Sequence, residues 1–203
     1  MKIINIVFDL GRVLIDWQPE LYIKEHFGED IATFFWKHIF NSEEWNLMDK
    51  GKLTEEQLWN LFSQRYSNYI YYINHMKEKV PELLIPIQDN IKLLPALKKL
   101  GYKLYVLSNF SSMNFDYVYK KFEFFNLFDG MIISSHVHSV KPELRIYECL
   151  IEKFNLNPLE SLFIDDKIEN IQGAQRLQFK VIHLTNPKEL KSKLEEYLQI
   201  KIF

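Results

Sequence analysis

The sequence predicts an α/β protein: a Rossmann-like, three-layer parallel sheet with a helical insertion near its start. Three observations carry this. The run from Ile3 to Phe8 is almost wholly apolar and rich in β-branched residues, as a strand covered on both faces must be, and it stops at Asp9-Leu10-Gly11. From Trp17 to about Leu84 the apolar spacing is helical, with no strand alternation. Beyond Pro86 short apolar runs alternate with helical segments, the pattern of crossover units in a parallel sheet. The expected division is residues 1–16 with 85–203 as the core and residues 17–84 as a helical cap.

Within the helical block, Pro19 stands as a first-turn residue, followed by Leu21, Tyr22, Glu25 and His26 at helical spacing. Residues 32–40 are rich in aromatics, and Ser42-Glu43-Glu44-Trp45 reads as another helix start. The turn Asp49-Lys50-Gly51-Lys52 leads to Thr54 and Gln57, a capping box, with Leu58, Leu61 and Phe62 as the stripe behind it. Residues 66–79 complete the block as a further helix. In the second part, Leu93, Leu94, Leu97 and Leu100 line a helix that Gly101 stops, and Pro95 limits where it can begin. Strands are expected at 103–107, 130–135, 161–164 and 180–184, with helices at 113–122, 143–154, 171–177 and 187–198.

The 203 residues suit one domain with a modest insertion. Hydrophobic residues make up 47% and charged residues 26%, the balance of a globular protein that can bury a core. A net charge of −2 gives no basic field to recruit nucleic acid or anionic lipid. One cysteine, Cys149, rules out an intrachain disulfide and a cysteine-based zinc site, and it reads as a small apolar residue on a helix. Asp9 interrupts the N-terminal apolar run too early for a signal peptide, and no run approaches the ~18 apolar residues of a membrane span. A cytoplasmic protein without nucleic-acid or membrane partners, monomeric or homodimeric, is the expectation.

Four polar landmarks fall at or just beyond successive strand ends: Asp9, Ser108-Asn109, Lys141 and Asp165-Asp166. In a parallel sheet those ends share one edge, so residues far apart in sequence converge there. Alone, Asp9 reads equally well as a turn residue. Together the set suits phosphoryl transfer. A carboxylate can attack phosphorus, and a hard cation such as Mg2+ can hold carboxylate and phosphate together. Asp9, Asp165 and Asp166 with the Gly11 carbonyl can supply its ligands. Ser108 can donate to a phosphoryl oxygen, and Lys141 offers a mobile cation.

The order Phe8-Asp9-Leu10-Gly11-Arg12-Val13-Leu14, Leu107-Ser108-Asn109, Lys141-Pro142-Glu143 and Phe163-Ile164-Asp165-Asp166 running to Asn170 resembles the haloacid dehalogenase-like hydrolase superfamily. In particular it is similar to the branch with a small helical cap after the first strand, whose cap also has a turn like Gly51-Lys52-Leu53-Thr54. The resemblance spans nearly the whole chain. It implies a Rossmann-like core, Asp9 as a nucleophile, a magnesium ion and hydrolysis of small phosphorylated metabolites, with sugar phosphates favoured by the Asp-Leu-Gly form of the first motif.

The chain departs from that pattern at Gly11, where most phosphatases of the family carry a second aspartate that protonates the leaving alcohol. General acid–base catalysis contributes ~10²–10⁴-fold, so the departure demands an explanation. Another group can substitute: Asp16, which otherwise reads as the N-cap of the first cap helix, or His38, Glu43 or Glu44 from the cap. The substrate can instead carry a leaving group that needs little protonation, as anomeric sugar phosphates and acyl phosphates do. Or the chain is a 2-haloacid dehalogenase, a phosphomutase, or a phosphate-binding module without turnover. Arg12 stands where the family usually has a small residue and either adds charge at the phosphate or packs outward. Asn170 replaces an acid and can orient Asp166 or a metal-bound water. His136 and His138 share a face if extended, but no third ligand accompanies them for a zinc site. Trp36, Phe40, Trp45 and Trp59 read mainly as cap core, with one or two facing the cleft.

Overall fold

A computed structural model describes residues 2–203. The chain opens with β1 (Asn5–Phe8) and a two-residue strand β2 (Ile15–Asp16). The helical block follows: α1 (Pro19–Phe27), α2 (Glu29–Phe35) continuing into a π-helical turn at Trp36–Phe40, α3 (Glu43–Asp49), α4 (Glu55–Arg65) and α5 (Ile70–Lys79). The chain returns through β3 (Ile85–Pro86), which pairs antiparallel with β2. Then come α6 (Gln88–Ile91), α7 (Leu93–Lys99), β4 (Lys103–Ser108), α8 (Ser112–Lys121), β5 (Gly130–Ile133), α9 (Ser134–Val137), α10 (Leu144–Phe154), β6 (Ser161–Asp165), α11 (Ile168–Arg176), β7 (Lys180–His183) and α12 (Leu190–Leu198).

The five-stranded sheet runs β5-β4-β1-β6-β7, every pair parallel. Its centre is β1, with Phe8 opposite Val106 on one side and Ile164 on the other. Side chains alternate between two buried faces. Ile6, Phe8, Leu104, Val106, Leu162 and Ile164 join one cluster with α7 and α12, while Val7, Tyr105, Leu107 and Phe163 join the other with α10 and α11. Both faces are covered, which is why the strands read as unbroken apolar runs.

The helical block has its own core of Ile23, Phe35, Ile39, Leu58, Phe62, Ile73 and Met76, with Trp17 packed against this cluster and against the sheet's. Its helix starts follow the sequence. Ser42 accepts the Trp45 N–H, and Thr54 and Gln57 form both halves of a capping box. No helix among the described residues is long and apolar enough to cross a membrane.

Three local expectations are corrected. The strand expected over 130–135 ends at Ile133, because Ser134–Val137 turns into α9, and His138 then takes a left-handed backbone (φ 55°). His136 and His138 therefore do not share an extended face: His136 packs edge-on to Phe115, and His138 Nδ1 lies 3.0 Å from the Lys50 carbonyl oxygen. Asp16 is not the cap of α1, whose N-cap is Gln18. It belongs to β2 and accepts a hydrogen bond from Gln18 Nε2 at 2.7 Å. The β2–β3 pair itself was not expected, since two-residue strands carry no periodicity to read.

Candidate active site

The ends of β1, β4 and β6 bring Asp9, Ser108 and Asp165 to the centre of one sheet edge, where ligands of open α/β sheets bind. Asp9 Oδ1 accepts the Leu10 N–H at 2.7 Å and the Ser108 hydroxyl at 2.7 Å, and lies 2.8 Å from Lys141 Nζ. Its Oδ2 accepts no hydrogen bond among the described residues. One oxygen of Asp9 is thus fixed and the other left for a reactant.

Lys141 is buried and fixed. Besides Asp9, its ammonium donates to the Leu107 carbonyl at 2.9 Å and to Asp165 Oδ2 at 2.6 Å, so all three protons have partners. The mobile cation expected from the sequence is therefore a static one. Burial alone would pull its pKa down, but Asp165 and Asp9 outweigh that and hold it above the ordinary lysine value. Asn109 clamps the same residue from the backbone side, donating from Nδ2 to the Lys141 carbonyl and accepting the Lys141 N–H.

Asp165 is fully buried and accepts from Lys141 Nζ, the Lys167 N–H and Asn170 Nδ2. Asn170 thus orients Asp165 rather than Asp166, to which the sequence reading tied it. Asp166 has one long ion pair, to Arg12 Nε at 3.7 Å. Burial, with the charges of Asp9 and Asp165, pushes its carboxyl up to about 6. Asp9 is also raised, by burial first and by Asp165, against the opposing pull of Lys141. Carboxylate oxygens of Asp9, Asp165 and Asp166 lie within 4.8 Å of one another. Three converging acids, two of them with raised carboxyls (Asp9 and Asp166), form a site short of positive charge, and hard oxygen donors at this spacing fit a hard divalent cation.

These groups open onto a cleft of about 660 Å³ between the sheet edge and the helical block. Gly11, Arg12, Asn109 and Asp166 line its floor with Asp9 and Lys141, while Ser108 lies beneath it, its hydroxyl turned to Asp9. Arg12 takes a left-handed backbone (φ 55°), an uncommon conformation of the kind that concentrates at functional sites. On the opposite wall stand Trp17, Trp36, Phe40 and Trp45. Three of the four aromatics expected mainly as block core therefore border the cleft, and only Trp59 is core alone. Trp36 and Phe40 flank the π-turn, an irregularity that recurs at functional sites.

Three acidic residues not singled out from the sequence also line the cleft: Glu20, Asp49 and Glu169. The proposed substitutes do not: Asp16, His38, Glu43 and Glu44 are absent from its walls, and Glu44 is paired with Arg65 at 2.6 Å. The signal for Asp49 was the turn it opens. Gly51, at φ +66°, lies so close to the core that an added Cβ would collide with the Ser135 carbonyl oxygen. Around that contact Ser134 Oγ donates to the Asp49 carbonyl, and Lys50 pairs with Glu143. Gly51→Ala should therefore cost about 1–3 kcal/mol from the left-handed backbone alone. A thermal midpoint lowered by a few degrees, as expected for a chain of this size, checks it; an unchanged midpoint would show that the turn moves freely off the core.

A family model described as haloacid dehalogenase-like hydrolase matches residues 6–184. The chain is 27% identical over 180 residues to a sesquiterpene phosphatase of Aspergillus oryzae, covering 89% of each protein. Among solved structures it is similar to a predicted HAD-like family hydrolase from Porphyromonas gingivalis, with a TM-score of 0.74 at 20% identity, covering 99% of this chain and 100% of that one. It is also similar to a HAD family enzyme of Bacteroides thetaiotaomicron solved with magnesium and inorganic phosphate, with a TM-score of 0.69 at 23% identity, covering 89% and 93%.

Proposed function

The chain belongs to the haloacid dehalogenase-like hydrolases, and from that premise we propose that it is a Mg2+-dependent phosphatase of small phosphorylated metabolites working through an aspartyl-phosphate at Asp9. The observation that carries this reading is the division of labour at Asp9: Oδ1 held by three donors, Oδ2 open to the cleft.

Asp9, Asp166 and the Gly11 carbonyl would hold the cation, and Asp165 completes the acidic cluster while fixing Lys141 beside it. When bound, Mg2+ supplies the positive charge that lets a carboxylate and a phosphoryl group approach each other. Lys141 favours the ionised form of Asp9, against the opposing effects of burial and Asp165, and orients it. Ser108 acts through Asp9, while Arg12 and Asn109 border the space of the phosphoryl oxygens. Asp9 attacks phosphorus, the alcohol leaves toward the helical cap, and water hydrolyses the aspartyl-phosphate. The acidic trio supports this reading over halide displacement, which has no use for a cation.

For the alcohol, Gly11 favours esters with good leaving groups, sugar 1-phosphates first. The wall of Trp17, Trp36, Phe40 and Trp45 supports an alcohol with an apolar or ring face, in keeping with the sesquiterpene phosphatase among the relatives. The test is phosphate release from glucose 1-phosphate, glucose 6-phosphate, farnesyl phosphate and p-nitrophenyl phosphate, with and without Mg2+. Metal-dependent release is expected, with glucose 1-phosphate or farnesyl phosphate well ahead of glucose 6-phosphate. Chloride released from 2-chloropropionate, with no phosphate from any ester, would overturn the proposal in favour of dehalogenation.

A further inference from the structure

The acid missing at Gly11 has not been replaced on the spot, since nothing lies within 4 Å of where a Cβ would stand there. In-line displacement puts the leaving oxygen opposite the attacking one, so with Asp9 on the sheet edge the alcohol departs toward the helical block. A proton donor is needed on that side. Asp49, the last residue of α3, borders the cleft there. Its backbone is pinned to the core, its carbonyl accepting from Ser134 Oγ and the next two residues seated by the Lys50–Glu143 pair and the close approach of Gly51 to Ser135. Its carboxyl makes no hydrogen bond or ion pair among the described residues. The main chain is fixed and the carboxyl is free, as a group that must exchange protons with a substrate requires.

We propose that Asp49 is the proton donor to the leaving alcohol, the part that a second aspartate plays in most phosphatases of the family; this rests on the phosphatase reading above. As Asp9 bonds to phosphorus, the bond from phosphorus to the alcohol oxygen breaks. That oxygen keeps the electron pair and takes the Asp49 proton. In the second half, the Asp49 carboxylate takes a proton from the attacking water. The water oxygen bonds to phosphorus, the Asp9–phosphorus bond breaks with its electrons returning to Asp9, and both residues are restored.

The charged surroundings suit the role. Burial pushes the Asp49 carboxyl up to about 7; Lys167, beyond β6, pulls against this, and Glu55 at the start of α4 and Asp9 at the end of β1 add to it. Glu55 is itself spent on the N–H groups of Met113 and Asn114. Arg12, Glu20, Asp166 and Glu169 are further charged groups along the same walls. A carboxyl that stays protonated near neutrality can donate at the working pH. With such a donor, esters of poorer leaving groups also turn over, behind those whose leaving group needs less help.

Asp49→Asn keeps the shape and removes the proton. The experiment compares parent and variant, both with Mg2+, on p-nitrophenyl phosphate, whose leaving group needs no proton, and on an n-alkyl phosphate, whose leaving group does. The first-turnover burst of nitrophenolate should stay within about threefold of the parent. Alkyl ester cleavage should fall ~10²–10⁴-fold, and steady-state turnover of both should fall with the loss of water activation. The parent's kcat/KM on the alkyl ester should decline above about pH 7, and the variant's should not. Equal loss on both esters in the first turnover, or an unchanged alkyl ester rate, overturns the inference. A parent that releases nothing from either ester overturns the phosphatase reading and this inference with it.

Discussion

Asp9→Asn should lower phosphate release by on the order of 10⁶-fold, the scale on which removing a nucleophile acts, while the protein folds as well as the parent. The amide has the same shape, and its Oδ1 can still accept from Leu10 and Ser108. Lys141 loses the charge of one partner of three but keeps Asp165 and the Leu107 carbonyl. Burial and the Asp165 charge already disfavour the ionised form of Asp9, so removing its charge relieves a repulsion as it breaks a pair. Phosphate release and thermal melting of the purified variant check both halves. A residual rate within 10²-fold of the parent would assign the nucleophile elsewhere.

Lys141→Met should be the more damaging change to the fold. Met replaces the stem but leaves Asp9 and Asp165 buried together with no cation between them. Breaking a buried ion pair from one side costs about 3–5 kcal/mol, and here two carboxylates are orphaned at once. The pH dependence of that loss has a definite sign. Without the ammonium, both the burial and the mutual repulsion that already raise Asp9 act unopposed. The folded variant then binds more protons than the unfolded chain, so its stability falls as pH rises through the raised carboxyl values. The deficit against the parent, read from urea unfolding, should therefore grow as pH rises and shrink as it falls. A deficit that does not change with pH would mean that lost packing, not charge, is responsible.

What the sequence made legible depended on how far each signal reaches. The five core helices expected after Pro86, the strand ends at Asp9 and Asp165, and the caps at Ser42 and Thr54 rest on local patterns, and they lie within a few residues of expectation. The convergence of Asp9, Ser108, Lys141 and Asp166 followed from topology, since parallel strands put their ends on one edge. Other features were settled only in three dimensions. Whether Trp45 faced the block's core or the cleft depended on where the π-turn and β2 set the block. Lys141 looked mobile because nothing local announces that Leu107 and Asp165 absorb its protons. Asp49 sat in plain view as the first residue of a glycine turn, but its meaning came from Ser134 and Ser135, more than eighty residues away.

The short pairing of Ile15–Asp16 with Ile85–Pro86 bears on how the chain finds its fold. Asn5 meets Lys103 at the centre of the sheet, so the shortest pairing open to β1 in that sheet must close a loop of roughly 100 residues, at an entropic cost that grows as the logarithm of length. Once the two strap strands meet, the path between β1 and β4 is about a quarter as long, which lowers that closure cost by about 1 kcal/mol. The helices can then collapse as a side branch, on their own schedule, while the central strands assemble almost as though nothing had been inserted between them.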